Sequence, residues 1–292
     1  MRQKRRAILI FMAPAVVLYL LVFLYPAIRT IIMSFFNVEN ITSGISEWSF
    51  LGLRNYTKLF NTRLFIESLK NIFKIWFLDG IATIALSLLT AVVLTSNIRF
   101  KKFFRAVIYL PNVIAAIAVG YMWLLYVFNN KFGLLTTLFS KLGLEQMAAI
   151  QWTDQKHLFL SMSIAYMFCN VGYYMLIYVA AIEKIPVDYY EAARIEGASA
   201  WKSFYSITLP LIKNVFATSI VLWTTRVMGF FELSLVFNDI TTVTPMVYTY
   251  NALFGTEQSV ESMNVGVAAA AAVIMTIMVM VAFLLSNRLN KE

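Results

Sequence analysis

The sequence predicts an all-α membrane protein, a polytopic bundle of about six transmembrane helices. Of its 292 residues, 60% are hydrophobic and 13% are charged, against about half and about a quarter in soluble domains. The apolar residues lie in runs of about 20 or more, long enough to cross a bilayer as helices. The basic residues, which give a net charge of +9, lie beside these runs, as membrane topology requires. Nucleic-acid binding is therefore not expected.

The whole chain, 1–292, is interpreted as a single transmembrane domain whose predicted spans are 7–34, 71–96, 106–128, 158–182, 211–237 and 264–286. The first run is too long for a signal-peptide core and lacks a small-residue cleavage site after it, so it is predicted to remain in the protein. The polar stretch 37–69 is expected to fold partly at the membrane surface through its aromatic segment 48–60. Five consecutive alanines, 268–272, predict a face for close helix packing.

Charge bias predicts the orientation. With the N-terminus in the cytoplasm, the last outer loop, 238–263, has no lysine or arginine but contains Asp239, Glu257 and Glu261. Basic residues near cytoplasmic ends set topology. Both termini are therefore predicted to be cytoplasmic, because this places 14 of the 24 basic residues inside: Arg2, Lys4, Arg5, Arg6, Arg99, Lys101, Lys102, Arg105, Lys184, Arg194, Lys202, Lys213, Arg288 and Lys291.

The cytoplasmic loop 183–210 predicts two short helices. Pro186 suits the first turn of a helix and Asp188 suits its N-terminus. Gly197 suits a left-handed turn after that helix, and Ser199 suits the cap of the next one. Such a helical pair between two spans predicts a docking knob for a partner protein.

This loop resembles the signature loop of binding-protein-dependent ABC-importer permeases. The pattern is Glu-Ala-Ala, three residues, Gly, nine residues, Ile, one residue and Leu-Pro, and it is complete here as Glu191, Ala192, Ala193, Gly197, Ile207, Leu209 and Pro210. Further likenesses, at 14–26, 50–56, 103–111 and 185–193, favour the carbohydrate-uptake branch. The sequence departs from the family in two ways: it lacks the Gly-Gly-Pro turn often found after the fifth span, and it lacks a large extracytoplasmic insertion like that of the maltose permease.

The resemblance implies the fold of a type I importer permease, in which the loop docks on an ATPase subunit and couples ATP hydrolysis to alternating access. It further implies a second permease subunit, usually giving a heterodimer, two ATP-binding subunits and an extracytoplasmic solute-binding protein. The location would be a bacterial or archaeal cytoplasmic membrane. The chain lacks a phosphate-binding Gly-rich lysine loop. We therefore expect it to bind no cofactor, with ATP and Mg used by the partner ATPases.

Ionisable residues within spans usually face an interior or a transport path, and three qualify: Asp79, Arg226 and Glu232. A straight helix would turn Arg226 and Glu232 well away from each other, so they are expected to meet only if the helix breaks near Gly229, or else to pair with other helices or the second permease. Sugars stack on aromatic rings and bond to amides and acids. The hypothesis for the substrate path is therefore Asn170, Tyr173, Tyr174, Trp223, Arg226, Phe230, Phe231 and Glu232, although each aromatic residue could simply fill a helix interface.

Two other classes of function stay open at this point. An ion-coupled secondary transporter would be self-sufficient, often with repeats and buried acidic relays, and Asp79 and Glu232 give it slight support. A membrane-embedded enzyme would need a cluster of reactive side chains. With His157 and Cys169 as the single histidine and cysteine, no catalytic site and no metal site are expected.

Overall fold

The computed structural model describes residues 2–255 and 264–289. Glu257, Glu261 and Lys291, on which part of the predicted orientation rests, lie outside the described residues. Four continuous helices are long and apolar enough to cross a membrane: Phe11–Met33, Arg63–Thr95, Gln155–Ile182 and Val265–Leu284. Two bent helix pairs raise the number of candidate spans to as many as six. The predicted all-α membrane fold is confirmed.

The helices are numbered here in chain order. The first, α1, consists of the continuous segments Arg2–Tyr19, Leu20–Leu24 and Tyr25–Met33. The others are α2 (Arg54–Asn61), α3 (Arg63–Thr95), α4 (Lys101–Asn112), α5 (Ala116–Val127), α6 (Leu134–Lys141), α7 (Glu145–Ala148), α8 (Gln155–Ile182), α9 (Val187–Ile195), α10 (Ala200–Leu211), α11 (Lys213–Met228), α12 (Glu232–Phe237), α13 (Pro245–Phe254) and α14 (Val265–Leu289).

Three predicted spans differ from the helices observed. The second begins at Arg63 rather than at residue 71. The third, 106–128, is not one helix, because α4 and α5 meet at a bend of 94°. Pro111 lies in a tight turn just before this bend, and a proline cannot donate the backbone hydrogen bond that a continuing helix needs. The fifth, 211–237, is also divided, since α11 ends at Met228 and α12 begins at Glu232.

Contacts between residues divide the chain into two compact units. One comprises residues 1–66 and 245–278, and the other comprises 67–244 and 279–292. In the first unit, strands β1 (Phe36–Asn37) and β2 (Ser49–Phe50) form an antiparallel pair. The stretch 37–69 is therefore folded, as expected, although the structure gives no position for a membrane surface.

Asn55 fixes the short strand pair to the end of α1. Its side-chain amide donates to the carbonyls of Ser34 and Phe36, at 2.9 and 2.8 Å. The backbone amide of Val265, at the start of α14, donates to the carbonyl of Val38 at 2.8 Å. The alanines at 268–271 in α14 are buried, in keeping with the predicted packing face.

The second unit is built around α8, which has buried residues along its whole length. This helix approaches the backbone of α4 closely at Gly172. A β-carbon there would lie 2.6 Å from the Cα of Tyr109 in α4 and would overlap the carbonyl oxygen of Ile108. Glycine lets the two backbones meet in the core, where close packing replaces the hydrophobic effect as the force between helices.

Candidate functional site

The loop that follows α8 folds as the sequence predicts. Pro186 immediately precedes α9, and Asp188 lies in its first turn. Gly197 has a φ of +74°, a backbone conformation that favours glycine. Its amide donates to the carbonyl of Arg194 at 3.0 Å, and the next amide, of Ala198, donates to that of Ala193 at 2.8 Å. These are the two bonds of a Schellman motif, which ends the helix and satisfies its last carbonyls.

The return arm begins at Ser199, whose hydroxyl accepts a hydrogen bond from the backbone amide of Lys202 at 3.3 Å. The arm, α10, then runs to Leu211 and meets α11 at a bend of 70°. The phenol of Tyr190 in α9 is 2.9 Å from the hydroxyl of Thr208 in α10. This hydrogen bond joins the two arms of the loop.

The loop presents an apolar surface. The exposed fraction is 86% for Ile195 and 67% for Trp201, whose ring stacks on that of Tyr205. Among the signature residues, Glu191, Ala192, Gly197 and Pro210 are exposed, whereas Ala193, Ile207 and Leu209 are partly buried. Exposed apolar and aromatic side chains that lie together, as Trp201 and Tyr205 do, fit an interaction surface.

A groove of about 620 Å³ separates the loop from the end of α3. Thr95 and Asn97 line it on the α3 side, and Glu183, Tyr190 and Arg194 line it on the loop side. The carboxylate of Glu183 also accepts a hydrogen bond of 2.6 Å from Arg105 in α4. The sequence gives no sign of this ion pair, because its partners are 78 positions apart.

The predicted substrate-path residues divide into a buried and an accessible group. Asn170, Tyr174, Trp223 and Phe230 are buried, and Tyr173, Arg226, Phe231 and Glu232 are partly or fully exposed on this chain. The buried aromatic rings contact Tyr166, which lies 4.2 Å from Phe230 and 5.5 Å from Trp223, measured between ring centroids. The buried group thus fills the interface between α8 and α11.

Trp223 is held by a hydrogen bond that sequence reasoning did not anticipate. A π-helical turn, Ile75–Asp79, interrupts α3, and such turns often occur at functional positions. The indole of Trp223 donates to the carbonyl of Trp76 at 2.9 Å, and the indole of Trp76 donates to the hydroxyl of Thr224 at 2.9 Å. Gly80 leaves the space for the indole, because a β-carbon there would overlap its nitrogen.

Asn170 and Asp79 are both buried in this region. The Asn170 amide donates to the Tyr166 carbonyl at 2.8 Å. Within the described residues, the Asn170 side-chain oxygen and one Asp79 carboxylate oxygen have no hydrogen-bond partner. Buried polar groups in a membrane carry a free-energy cost and are usually functional.

Arg226 and Glu232 lie on either side of a helix break. The break is near Gly229, as the pairing hypothesis required, but within the described residues the ion pairs are Lys70–Glu67 and Arg105–Glu183. Arg226 instead lies over the ring of Tyr173, at 5.3 Å from its centroid. A guanidinium on an aromatic face, on a surface that this chain leaves open, is suited to bind a polar ligand.

Comparison with known proteins identifies the family. The family described as "binding-protein-dependent transport system inner membrane component" matches residues 83–292, well over half of the chain. The chain belongs to this family. The resemblance noted in the sequence is thereby confirmed, and membership gives no support to an ion-coupled secondary transporter.

Several relatives of this inner-membrane component align over most of their length. The arabinooligosaccharides transport system permease protein AraP of Bacillus subtilis is 30% identical, over 98% of this chain and 89% of the relative. The probable ABC transporter permease protein YurN of the same organism is 29% identical, over 76% and 75%. The sn-glycerol-3-phosphate transport system permease protein UgpA of Agrobacterium fabrum is 26% identical, over 92% and 89%.

The fold is shared with a solved transporter. A chain of a bacterial ABC transporter involved in import of the acidic polysaccharide alginate superposes with a TM-score of 0.80, at 21% identity. The match covers 99% of this chain and 96% of the other. The predicted type I permease fold is therefore confirmed.

Proposed function

We propose that this inner-membrane component is one of two permease subunits of an ATP-driven importer that moves a sugar or oligosaccharide into the cell by alternating access. The observation that carries the proposal is the exposed loop of α9 and α10. Its signature residues lie along a helical pair joined by a Schellman turn at Gly197 and a cap at Ser199, and Ile195 and Trp201 of the same loop are exposed. In a family of transport components, such a surface fits a nucleotide-driven partner.

The carbohydrate class is supported by relatives. AraP is described as an arabinooligosaccharide permease, and the diacetylchitobiose uptake permease NgcF of Streptomyces coelicolor is 30% identical over 61% of this chain. The accessible residues of the predicted path, with Arg226 over the ring of Tyr173 and with Phe231 and Glu232 nearby in the chain, offer the aromatic and polar groups that sugars need. We propose no catalytic role and no cofactor for this chain, with ATP and Mg used by the partner subunits.

The proposed assembly contains a second permease, two ATP-binding subunits and an extracytoplasmic solute-binding protein. The alginate transporter has been solved with an oligosaccharide-bound periplasmic protein, which supports the last of these partners. The family description places the protein in the inner membrane. We propose that both termini are cytoplasmic, because the docking loop then faces the compartment that supplies ATP.

The proposal is tested by purifying the tagged chain from membranes of its host. We expect ATP-binding subunits and a second permease to co-purify, and the assembly to hydrolyse ATP. Peptide sequencing and ATPase activity measure this. A chain that purifies alone and, in liposomes, takes up solute in response to an ion gradient would contradict the proposal.

The accessible half of the predicted path gives a separate prediction. Arg226→Ala and Glu232→Ala should lower uptake severalfold with little change in thermal stability, since both side chains are exposed on this chain. Trp223→Ala should also lower stability, by about 3–5 kcal/mol, because it empties a packed site. Uptake by proteoliposomes and thermal unfolding in detergent measure the two effects. Normal uptake in all three variants, with normal assembly, would refute the path.

A further inference from the structure

Arg105 connects three segments near the coupling loop (residues 183–210). One terminal nitrogen of its guanidinium donates to the carbonyl of Leu94 at 3.1 Å and to the carboxylate of Glu183 at 2.6 Å. Leu94 is in the last turn of α3, Arg105 is in α4, and Glu183 directly follows α8. A single side chain thus joins two membrane helices to the first residue of the loop.

Each contact has a physical reason. The last carbonyls of a helix lack partners within it, and a cation is favoured at a helix C-terminus. Leu94 supplies such a carbonyl. The bond to Glu183 joins a cation to an anion, which strengthens it. The exposed fraction is 19% for the Arg105 side chain and 46% for that of Glu183, so solvent screens the pair only in part.

The surrounding geometry gives this contact its importance. α8 packs along α3 and leads directly into the loop, whereas a groove of about 620 Å³ lies between the loop helices and the end of α3. The Tyr190–Thr208 bond joins the loop arms to each other and does not reach α3 or α4. Among the side-chain hydrogen bonds of the described residues, those of Arg105 add a direct polar connection from the first residue of the loop to α3 and α4.

We propose that Arg105 is a positioning residue that makes α3 and α4 follow the movement of the coupling loop. The inference rests on the proposed function, because it requires a partner that moves the loop. Without the ion pair, the loop would move on ATP binding, and α4 would be displaced less than the loop. ATP hydrolysis would continue, but α3 and α4 would be displaced less in each cycle.

The test measures a distance between α4 and the loop in the purified, assembled transporter. Spin labels are placed at Lys101→Cys and Lys202→Cys, both exposed, in a Cys169→Ser background. With Arg105 present, we expect the distribution of distances between the two labels to be narrow, and its mean to be unchanged by ATP. In Arg105→Gln and Glu183→Gln, we expect it to broaden and to change by about 2 Å or more on ATP addition, the scale of helix shifts in switching proteins.

Charge reversal separates transmission from folding. Arg105→Glu and Glu183→Arg should each broaden the distribution of label distances. Combining them should narrow it again, because the ion pair between α4 and the loop is restored with reversed sign, while the Leu94 carbonyl loses its donor. Glu67→Gln is the matched control, since it removes the Glu67–Lys70 ion pair, which lies within α3 and away from the loop. That variant should leave the distance unchanged.

The outcomes distinguish the two proposals. This inference alone would be overturned if the assembly is active and every Arg105 and Glu183 variant keeps a narrow distribution of label distances that ATP does not change. The same holds if the reversed pair behaves no better than either single reversal. A purified assembly that lacks ATPase activity would overturn the proposed function itself.

Discussion

Gly197→Asp is expected to leave the protein inserted in the membrane and to reduce ATP-driven uptake at least about tenfold. Gly197 ends α9 at a φ of +74°, and no atom lies within 4 Å of where a β-carbon would be. The new side chain would meet no atom within this chain, so the cost to folding is limited to the backbone strain of a non-glycine residue at positive φ. In the assembled transporter, it would place volume and negative charge on the docking surface, where one tenfold loss corresponds to about 1.4 kcal/mol.

Gly143 provides a matched control for that substitution. It follows α6, has a φ of +71° and also has open space around its β-carbon position. Gly143→Asp therefore introduces the same backbone strain and the same charge outside the docking loop, and uptake should stay near normal. Uptake and ATPase activity of the purified assembly measure both variants. Equal losses of uptake in Gly197→Asp and Gly143→Asp would show that backbone strain causes the effect. Wild-type coupling of uptake to ATP hydrolysis in Gly197→Asp would contradict the docking assignment.

Gly172→Ala is expected to destabilise the fold. Its β-carbon would overlap the carbonyl of Ile108 and lie 2.6 Å from the Cα of Tyr109. The obstacle is backbone, which cannot rotate away as a side chain would. Forcing added volume into a packed core costs about 1–3 kcal/mol, and the helix–helix contact between α4 and α8 should loosen.

Thermal unfolding in detergent and the yield of folded protein measure this loss. Gly229→Ala is the control, because the nearest atom to its β-carbon would be 3.8 Å away, an ordinary contact distance. We expect a lower midpoint of unfolding for Gly172→Ala and little change for Gly229→Ala. A midpoint equal to that of the wild type at position 172 would show that the two helices are not packed as described.

The parts of the fold that sequence alone predicted are those with local causes. Apolar runs predicted the membrane helices, and Gly197 and Ser199 predicted where the loop helices end and begin. The bend between α4 and α5 was missed because Val113, Ile114 and Ala115 are apolar and continue the run. Hydrophobicity predicts whether a segment lies in the membrane, but it does not predict where the backbone bends.

The candidate site shows the same division. The signature loop was found from spacing, but the burial of the path residues depends on how α3, α8 and α11 pack together. The hydrogen bond from Trp223 to Trp76 joins positions 147 apart, and it uses a carbonyl in a π-helical turn that no sequence pattern revealed. For the same reason, Arg105 was predicted only as one of several topology-setting cations.

The π-helical turn at Ile75–Asp79 determines where α3 can lose one residue without losing its packing. A π-helical turn holds one residue more than the α-helical turn it replaces, and each residue of an α-helix adds a rotation of about 100° about the helix axis. Deleting one residue within the turn would restore regular winding locally and leave the downstream face of α3 in register with α8. Deleting one residue elsewhere in α3 would rotate that face out of its packing. A single-residue deletion at 75–79 should therefore preserve the packing of α3 against α8, although it would displace the Trp76 carbonyl that holds Trp223. A deletion elsewhere in α3 should disrupt that packing.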